Sequence, residues 1–178
     1  MPCSQSHDRI SIATGLPVVA TAFYCLLWQQ ALALCLAYFF SCFMLSPDLD
    51  LHSEPYNRWW ILKWVWKPYS KLIPHRSWAS HSPIFGTLIR MAYLLAIPLT
   101  VVTLSAFALP YFRAISGVST IQDWARGYNL STLETWVEEH WRILASTGAG
   151  LEAGSLVHIS ADALVSFYKR LRRWFAKH

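Results

Sequence analysis

From Ile10 to Leu45 the chain carries no charged residue. As one straight helix this stretch would be about 54 Å long at 1.5 Å per residue. A bilayer core is only about 30 Å thick. The stretch is therefore expected to fold back on itself, with the turn near Trp28-Gln29-Gln30, its one strongly polar interruption. A second uncharged run spans Met91 to Phe112, contains Pro98 and Pro110, and is bracketed by Arg90 and Arg113. A third, from Thr147 to Tyr168, is rich in Gly, Ala and Ser, residues that let helices approach closely inside a membrane. Only 14% of the 178 residues are charged and 54% are apolar, against about 25% charged in an ordinary soluble domain. This composition excludes a disordered chain and argues against a fully soluble globule. The expected fold class is all-α, a single domain over 1–178. It reads as an integral-membrane helix bundle of about three to four apolar helices plus an interfacial amphipathic helix.

The interfacial helix is expected over Tyr56 to Ser70. There Trp59, Trp60, Trp64 and Trp66 alternate with Arg58, Lys63 and Lys67, a mixture suited to the headgroup level. Ser131-Thr-Leu-Glu134 reads as a capping box. It would open an amphipathic helix to Ala145 on which Leu133, Trp136, Val137, His140 and Trp141 recur at helical spacing. The four cysteines form no CxxC pair, so neither a disulfide framework nor a zinc ribbon is expected. No convincing secretory signal opens the chain. Of the 15 lysines and arginines, 12 fall in the N-terminus, residues 46–90 and the C-terminal tail, and 3 (Arg113, Arg126 and Arg142) fall elsewhere. The positive-inside rule puts the richer side, with both termini, in the cytoplasm. The basic tail would serve as a topology anchor or as a contact to anionic lipid headgroups. The formal charge of +5 forms no basic stripe, so nucleic acid is not an expected partner.

Residues able to hold a metal are clustered. His7-Asp8 precedes the first apolar arm, and Ser46-Pro47-Asp48-Leu49-Asp50 follows the second. His75-Arg76 and His81 precede the Met91 run, and His158 and Asp162 lie late in the last. With the first stretch folded back, all four clusters reach one membrane face. His7, Asp48, Asp50, His75, His81, His158 and Asp162 mix imidazole with carboxylate, which suits zinc, manganese or iron, whereas calcium prefers oxygen alone. Seven ligands exceed one tetrahedral site, so two ions bridged by an aspartate are one reading. Asp48 and Asp50 share a face if their segment is extended. His158 and Asp162 share a helix face and read either as ligands or as a core hydrogen bond. His52 is a reserve ligand beside Asp50, and Glu152 a helix contact. Arg76 would hold an anionic group such as phosphate or carboxylate, or else face headgroups. No nucleophile elbow, Walker loop or GxGxxG is present.

His7-Asp8-Arg9-Ile10, Ser46-Pro47-Asp48-Leu49-Asp50, His75-Arg76-Ser77-Trp78, Ser80-His81-Ser82-Pro83 with Gly86-Thr87, and His158-x-x-x-Asp162 together resemble a bacterial family of uncharacterised metal-binding proteins. That family is known mainly from photosynthetic bacteria. The pattern is also similar to a wider group of membrane-bound proteins assigned as metal-dependent hydrolases, which share an aspartate pair, an HR-x-x-x-x-H element and a C-terminal H-x-x-x-D. The likeness is dense over 1–90 and looser over 147–170, and 110–145 carries no motif. It implies a metal-dependent hydrolase of the bacterial inner membrane or an internal photosynthetic membrane. In that reading the aspartates and histidines above are ligands, and His7 is a ligand or a general acid–base. Arg76 holds an anionic or lipid-linked substrate. The alternative is a non-catalytic metal-binding or assembly protein.

Overall fold

The uncharged N-terminal stretch does fold back, as α1 (Ser4–Cys25) and α2 (Trp28–Phe43). The turn is at Leu26-Leu27, just before the expected position. Leu27 is extended (φ −62°, ψ 148°) and breaks the helical path, while Gln29 and Gln30 fall in the first turn of α2. Pro17 is accommodated within α1. The Tyr38 hydroxyl donates to the Ser11 carbonyl at 2.9 Å and lies 2.7 Å from Thr14 Oγ1, which ties the two helices across an otherwise apolar seam. This is a computed structural model. It describes residues 4–51, 53–74, 77–116 and 130–176, all of whose regular elements are helical.

After α2 the chain is punctuated by serines and prolines. Ser46 caps a 3-10 turn over Pro47–Asp50, Ser53 caps α3 (Glu54–Arg58), and Ser77 caps α5 (Trp78–His81). In each case the hydroxyl accepts a backbone N–H that the short helix cannot satisfy. The interfacial helix expected over Tyr56 to Ser70 is instead three pieces: α3, a 3-10 helix over Trp60–Val65, and α4 (Trp66–Leu72). Trp66 is fully buried and packs edge-on against Trp59 and Tyr69, so this tryptophan belongs to a core and not to a membrane rim. Trp60 takes a left-handed φ of 46° where the pieces join.

The chain packs as two units, residues 1–90 with 142–178, and residues 91–141. In the first unit, the later part of α7 (Leu130–Phe175) lies against α2. A Cβ on Gly150 would overlap the Leu34 carbonyl oxygen, and one on Gly154 would lie 2.7 Å from the Tyr38 carbonyl oxygen. The two backbones meet only because both residues lack side chains. Ser41 Oγ donates to the Leu151 carbonyl at 2.6 Å in the same seam.

The second unit holds the later part of α6 (Phe85–Ser116) and the start of α7. Three of its hydroxyls are satisfied within their own helix: Thr100, Thr103 and Ser105 donate to carbonyls four residues back. Among the described residues, one helical segment, Phe85–Ser105, is long and apolar enough to cross a membrane. This departs from the expected three to four apolar spans. α2 has only 16 residues, short of the about 20 a spanning helix needs, and α1 opens with polar Ser-Gln-Ser-His-Asp-Arg. The amphipathic helix and the Gly-rich run, read as separate, are one helix of 46 residues. Leu130 is already helical, so Ser131 lies inside the first turn and not at a cap. Arg90, read as a flank of the span, is 0% exposed.

Candidate metal centre

Five of the seven proposed ligands come together in the first unit: His7 from α1, Asp48 from the 3-10 turn, His81 from α5, and His158 and Asp162 from α7. His158 Nε2 lies 3.3 Å from Asp48 Oδ2, and His81 Nε2 lies 3.6 Å from Asp48 Oδ1. His7 Nε2 is 3.4 Å from Asp162 Oδ1, and His158 Nε2 is 4.0 Å from Asp162 Oδ2. The His7 and His158 rings stack at 4.2 Å, 17° from parallel. Two triads result, His7–His158–Asp162 and Asp48–His81–Asp162, each with its ligand atoms within 4.8 Å of one another.

The donors fit a cation. Asp48 Oδ1, both Asp162 oxygens and His158 Nε2 are buried with no hydrogen-bond partner among the described residues. Unpartnered buried polar atoms are costly, and a divalent ion bound by imidazole and carboxylate would satisfy them together. Burial alone would raise the Asp48 carboxyl. The His158 and His81 imidazoles against it outweigh burial and hold it well below the usual carboxylate range. His7 is pushed down, by burial first and then by His158, against the upward pull of Asp162 and Asp48. Low carboxyl and low imidazole values both favour the deprotonated forms that bind metal.

Local structure aims these groups. Ser46 Oγ lies 3.2 Å from His158 Nδ1 and Ser80 Oγ 2.8 Å from His81 Nδ1, so each hydroxyl engages the ring nitrogen remote from the carboxylates. Such partners orient metal-bound imidazoles. Ser80 is held in turn by Arg90, whose guanidinium donates to the Ser80 carbonyl, Thr87 Oγ1 and Ser155 Oγ at 2.9, 3.2 and 2.9 Å. A Cβ on Gly86 would lie 2.8 Å from the Ser80 carbonyl oxygen. Gly86-Thr87 therefore supplies the close approach of α5 to α6 and one acceptor for Arg90. Glu152 accepts the backbone N–H of Ile84, which takes a left-handed φ of 64° between α5 and α6. Asp8 pairs with Arg58. Beside the cluster is a cavity of about 180 Å³ lined by His7, Asp48, His158 and Asp162 together with Leu51, Ser53, Glu54 and Pro55.

Asp50 is outside both triads. Its segment is a 3-10 turn and not the extended strand that would have put it on the face of Asp48, because Pro47 suits the first position of a helical turn and Ser46 caps it. Asp50 instead lies in the electrostatic field of Tyr69 and Arg90. His75, Arg76 and the reserve ligand His52 lie outside the described residues. The orienting serines, the buried Arg90 and the cavity lining from Leu51 to Pro55 were not anticipated. The Gly86-Thr87 dipeptide after the Ser80-His81-Ser82-Pro83 element was the available signal for Arg90.

An all-helical protein with a clustered His/Asp metal site is the class that this fold and geometry define. Residues 2–172 match the family model described as "Uncharacterized metal-binding protein (DUF2227)", and the chain belongs to that family. A segment of 60 residues is 45% identical to an uncharacterized protein of Aquifex aeolicus (strain VF5), covering 33% of this chain and 42% of that relative. The chain thus spans less than half the length of the curated relative it matches. No solved structure matches it.

Proposed function

We propose that the protein is a membrane-associated, metal-dependent hydrolase of ester or phosphoester bonds. The observation that carries this reading is the cavity against the ligand cluster. Catalytic metal sites keep a position open, whereas structural ones are closed by protein, and here room for a water and a reacting group adjoins His7, Asp48, His158 and Asp162. When bound, a zinc, manganese or iron ion would polarise a substrate oxygen and bring the pKa of a water to about 7. The chain's own residues would orient and seal that chemistry. Asp48, His81, His158 and Asp162 hold the ion with His7, and Ser46 and Ser80 fix the imidazoles. Arg76 takes the anionic group of the substrate in this reading.

Membrane association is supported by the Phe85–Ser105 segment, 21 residues with a mean hydropathy of 1.8 and 11% buried. Exposed Leu16, Phe23, Leu36 and Leu95 add apolar surface. The 12-to-3 division of basic residues favours a site facing the cytoplasm. A lipid-like or lipid-linked ester is the substrate class consistent with that setting.

The test is turnover of a panel of phosphoesters and carboxyl esters, soluble and lipid, by the full chain loaded with zinc, manganese or iron. Metal-dependent hydrolysis abolished in Asp48→Asn is the expected result. Full metal occupancy with no turnover of any ester would overturn hydrolysis and leave a non-catalytic metal-binding protein.

A further inference from the structure

We infer that the site binds two divalent ions rather than one, bridged by the carboxylates of Asp48 and Asp162, and that the ion pair itself is what attracts an anionic substrate. The inference rests on the metal site of the preceding reading and not on its hydrolytic chemistry.

The arrangement of donors carries it. An ion with ligand bonds of about 2.0–2.2 Å accepts donors no more than about twice that distance apart. The five donors divide into two compact triads that share Asp162. Asp48 straddles the division as well: Oδ2 faces His158 of one triad at 3.3 Å, and Oδ1 faces His81 of the other at 3.6 Å. Among the described residues, neither Asp162 oxygen has a hydrogen-bond partner and both are buried, as a carboxylate needs if each oxygen is to serve a different ion. His158 is itself 94% buried, being 6% exposed, and its Nε2 has no hydrogen-bond partner among the described residues. Two-metal sites keep their ions about 3.5–4 Å apart, a separation that two bridging carboxylates span.

Asp48 and Asp162 bring two negative charges, which one dication would neutralise. Two dications would leave the five donors with about +2, set against Glu54 and the Arg58-paired Asp8 in the cavity lining. No lysine or arginine is among the described residues that line that cavity, so paired ions would supply positive charge that those residues do not. The ligand class is then a compact anion, with a phosphate monoester or diester best matched to a paired-ion clamp.

The experiment is metal counting on the purified full chain with manganese(II) as the probe, by elemental analysis and by electron paramagnetic resonance. Two ions per chain and a spin-coupled manganese spectrum are expected. His81→Ala and His7→Ala should each retain one ion and lose the coupling. Asp162→Asn should lower both occupancies. The wild-type spectrum keeps the test valid where a variant fails to fold. Inorganic phosphate should perturb the coupled spectrum and leave that of His81→Ala unchanged. One ion per chain at saturation, or an uncoupled spectrum with two, would overturn the paired site while leaving metal binding and hydrolysis standing. No bound ion at all would overturn the metal reading on which both proposals depend.

Discussion

The Ser80 hydroxyl lies 2.8 Å from Nδ1 of His81, its neighbour in sequence. With that hydroxyl donating to the Ser77 carbonyl, 3.2 Å away, it would accept from the imidazole. The proton of a neutral His81 is thereby drawn to Nδ1, and the lone pair of Nε2 faces Asp48. A lone pair aimed at a carboxylate is repulsive unless a cation lies between them. In that direction the hydrogen bond favours the tautomer that can ligate.

Ser80→Ala should keep the fold and weaken metal binding by about 10–100-fold, the usual effect of removing the partner of a ligating histidine. Competition against a zinc-sensitive dye measures it. Unchanged affinity would mean that the backbone alone sets the His81 ring.

His158→Ala and Asp48→Asn should separate structural from metal-linked stability. Metal bound to the folded state alone adds about 2.7 kcal/mol at a hundredfold excess over Kd. Melting curves with zinc and with chelator should show a large metal-induced rise in the wild type and little in either variant. Equal losses under both conditions would reduce His158 and Asp48 to a core hydrogen-bonded pair.

Arg90→Met should destabilise the protein by about 3–5 kcal/mol, the range for removing one partner from a buried charged network. It leaves Thr87 Oγ1, Ser155 Oγ and the Ser80 carbonyl without their donor. Arg90→Lys should recover only part of that loss, since an ammonium cannot reproduce the planar fork. Chemical denaturation of the three proteins reads the difference, and a near-neutral Arg90→Met would show that the network contributes no net stability.

Glycines along α7 should respond in opposite directions. Gly150→Val forces a side chain into the α2 backbone and should cost at least about 1–3 kcal/mol, the range for overpacking. Gly148 has nothing within 4 Å of where its Cβ would be. Gly148→Ala should stabilise the helix by roughly 0.5–1 kcal/mol. Thermal denaturation of the pair checks the close approach, and matched shifts would refute it.

The helical hairpin and the gathering of His7, Asp48, His81, His158 and Asp162 were readable because apolar run length and the spacing of polar clusters are one-dimensional signals. Asp50 was placed beside Asp48 on the condition of an extended segment, when Ser46 and Pro47 together begin a 3-10 turn. Arg90 misled for a different reason. A basic residue at the edge of an apolar run looks like a membrane boundary, and only the tertiary placement of Ser80, Thr87 and Ser155 reveals a buried guanidinium. The amphipathic segment and the Gly-rich run were read apart because their residue patterns differ, whereas α7 runs through Gly148, Gly150 and Gly154 without a break. Ser46 behind His158 leaves no local pattern, since the two are 112 residues apart.

Gly150, Gly154, His158 and Asp162 follow one another at intervals of four along α7, and Leu34, Tyr38 and Cys42 do so along α2, with Ser46 four residues on, past its end. The contacts join these rows: Leu34 with Gly150, Tyr38 and Cys42 with Gly154, and Ser46 with His158. The rows mesh like a rack and its counterpart. A slip by one tooth, four residues, would carry His158 about 6 Å along the helix, farther than any metal–ligand bond can stretch. Backbone oxygens seated over glycines cannot relax as side chains do. The donor spacing at the candidate metal centre is therefore gauged by two missing side chains one and two turns away.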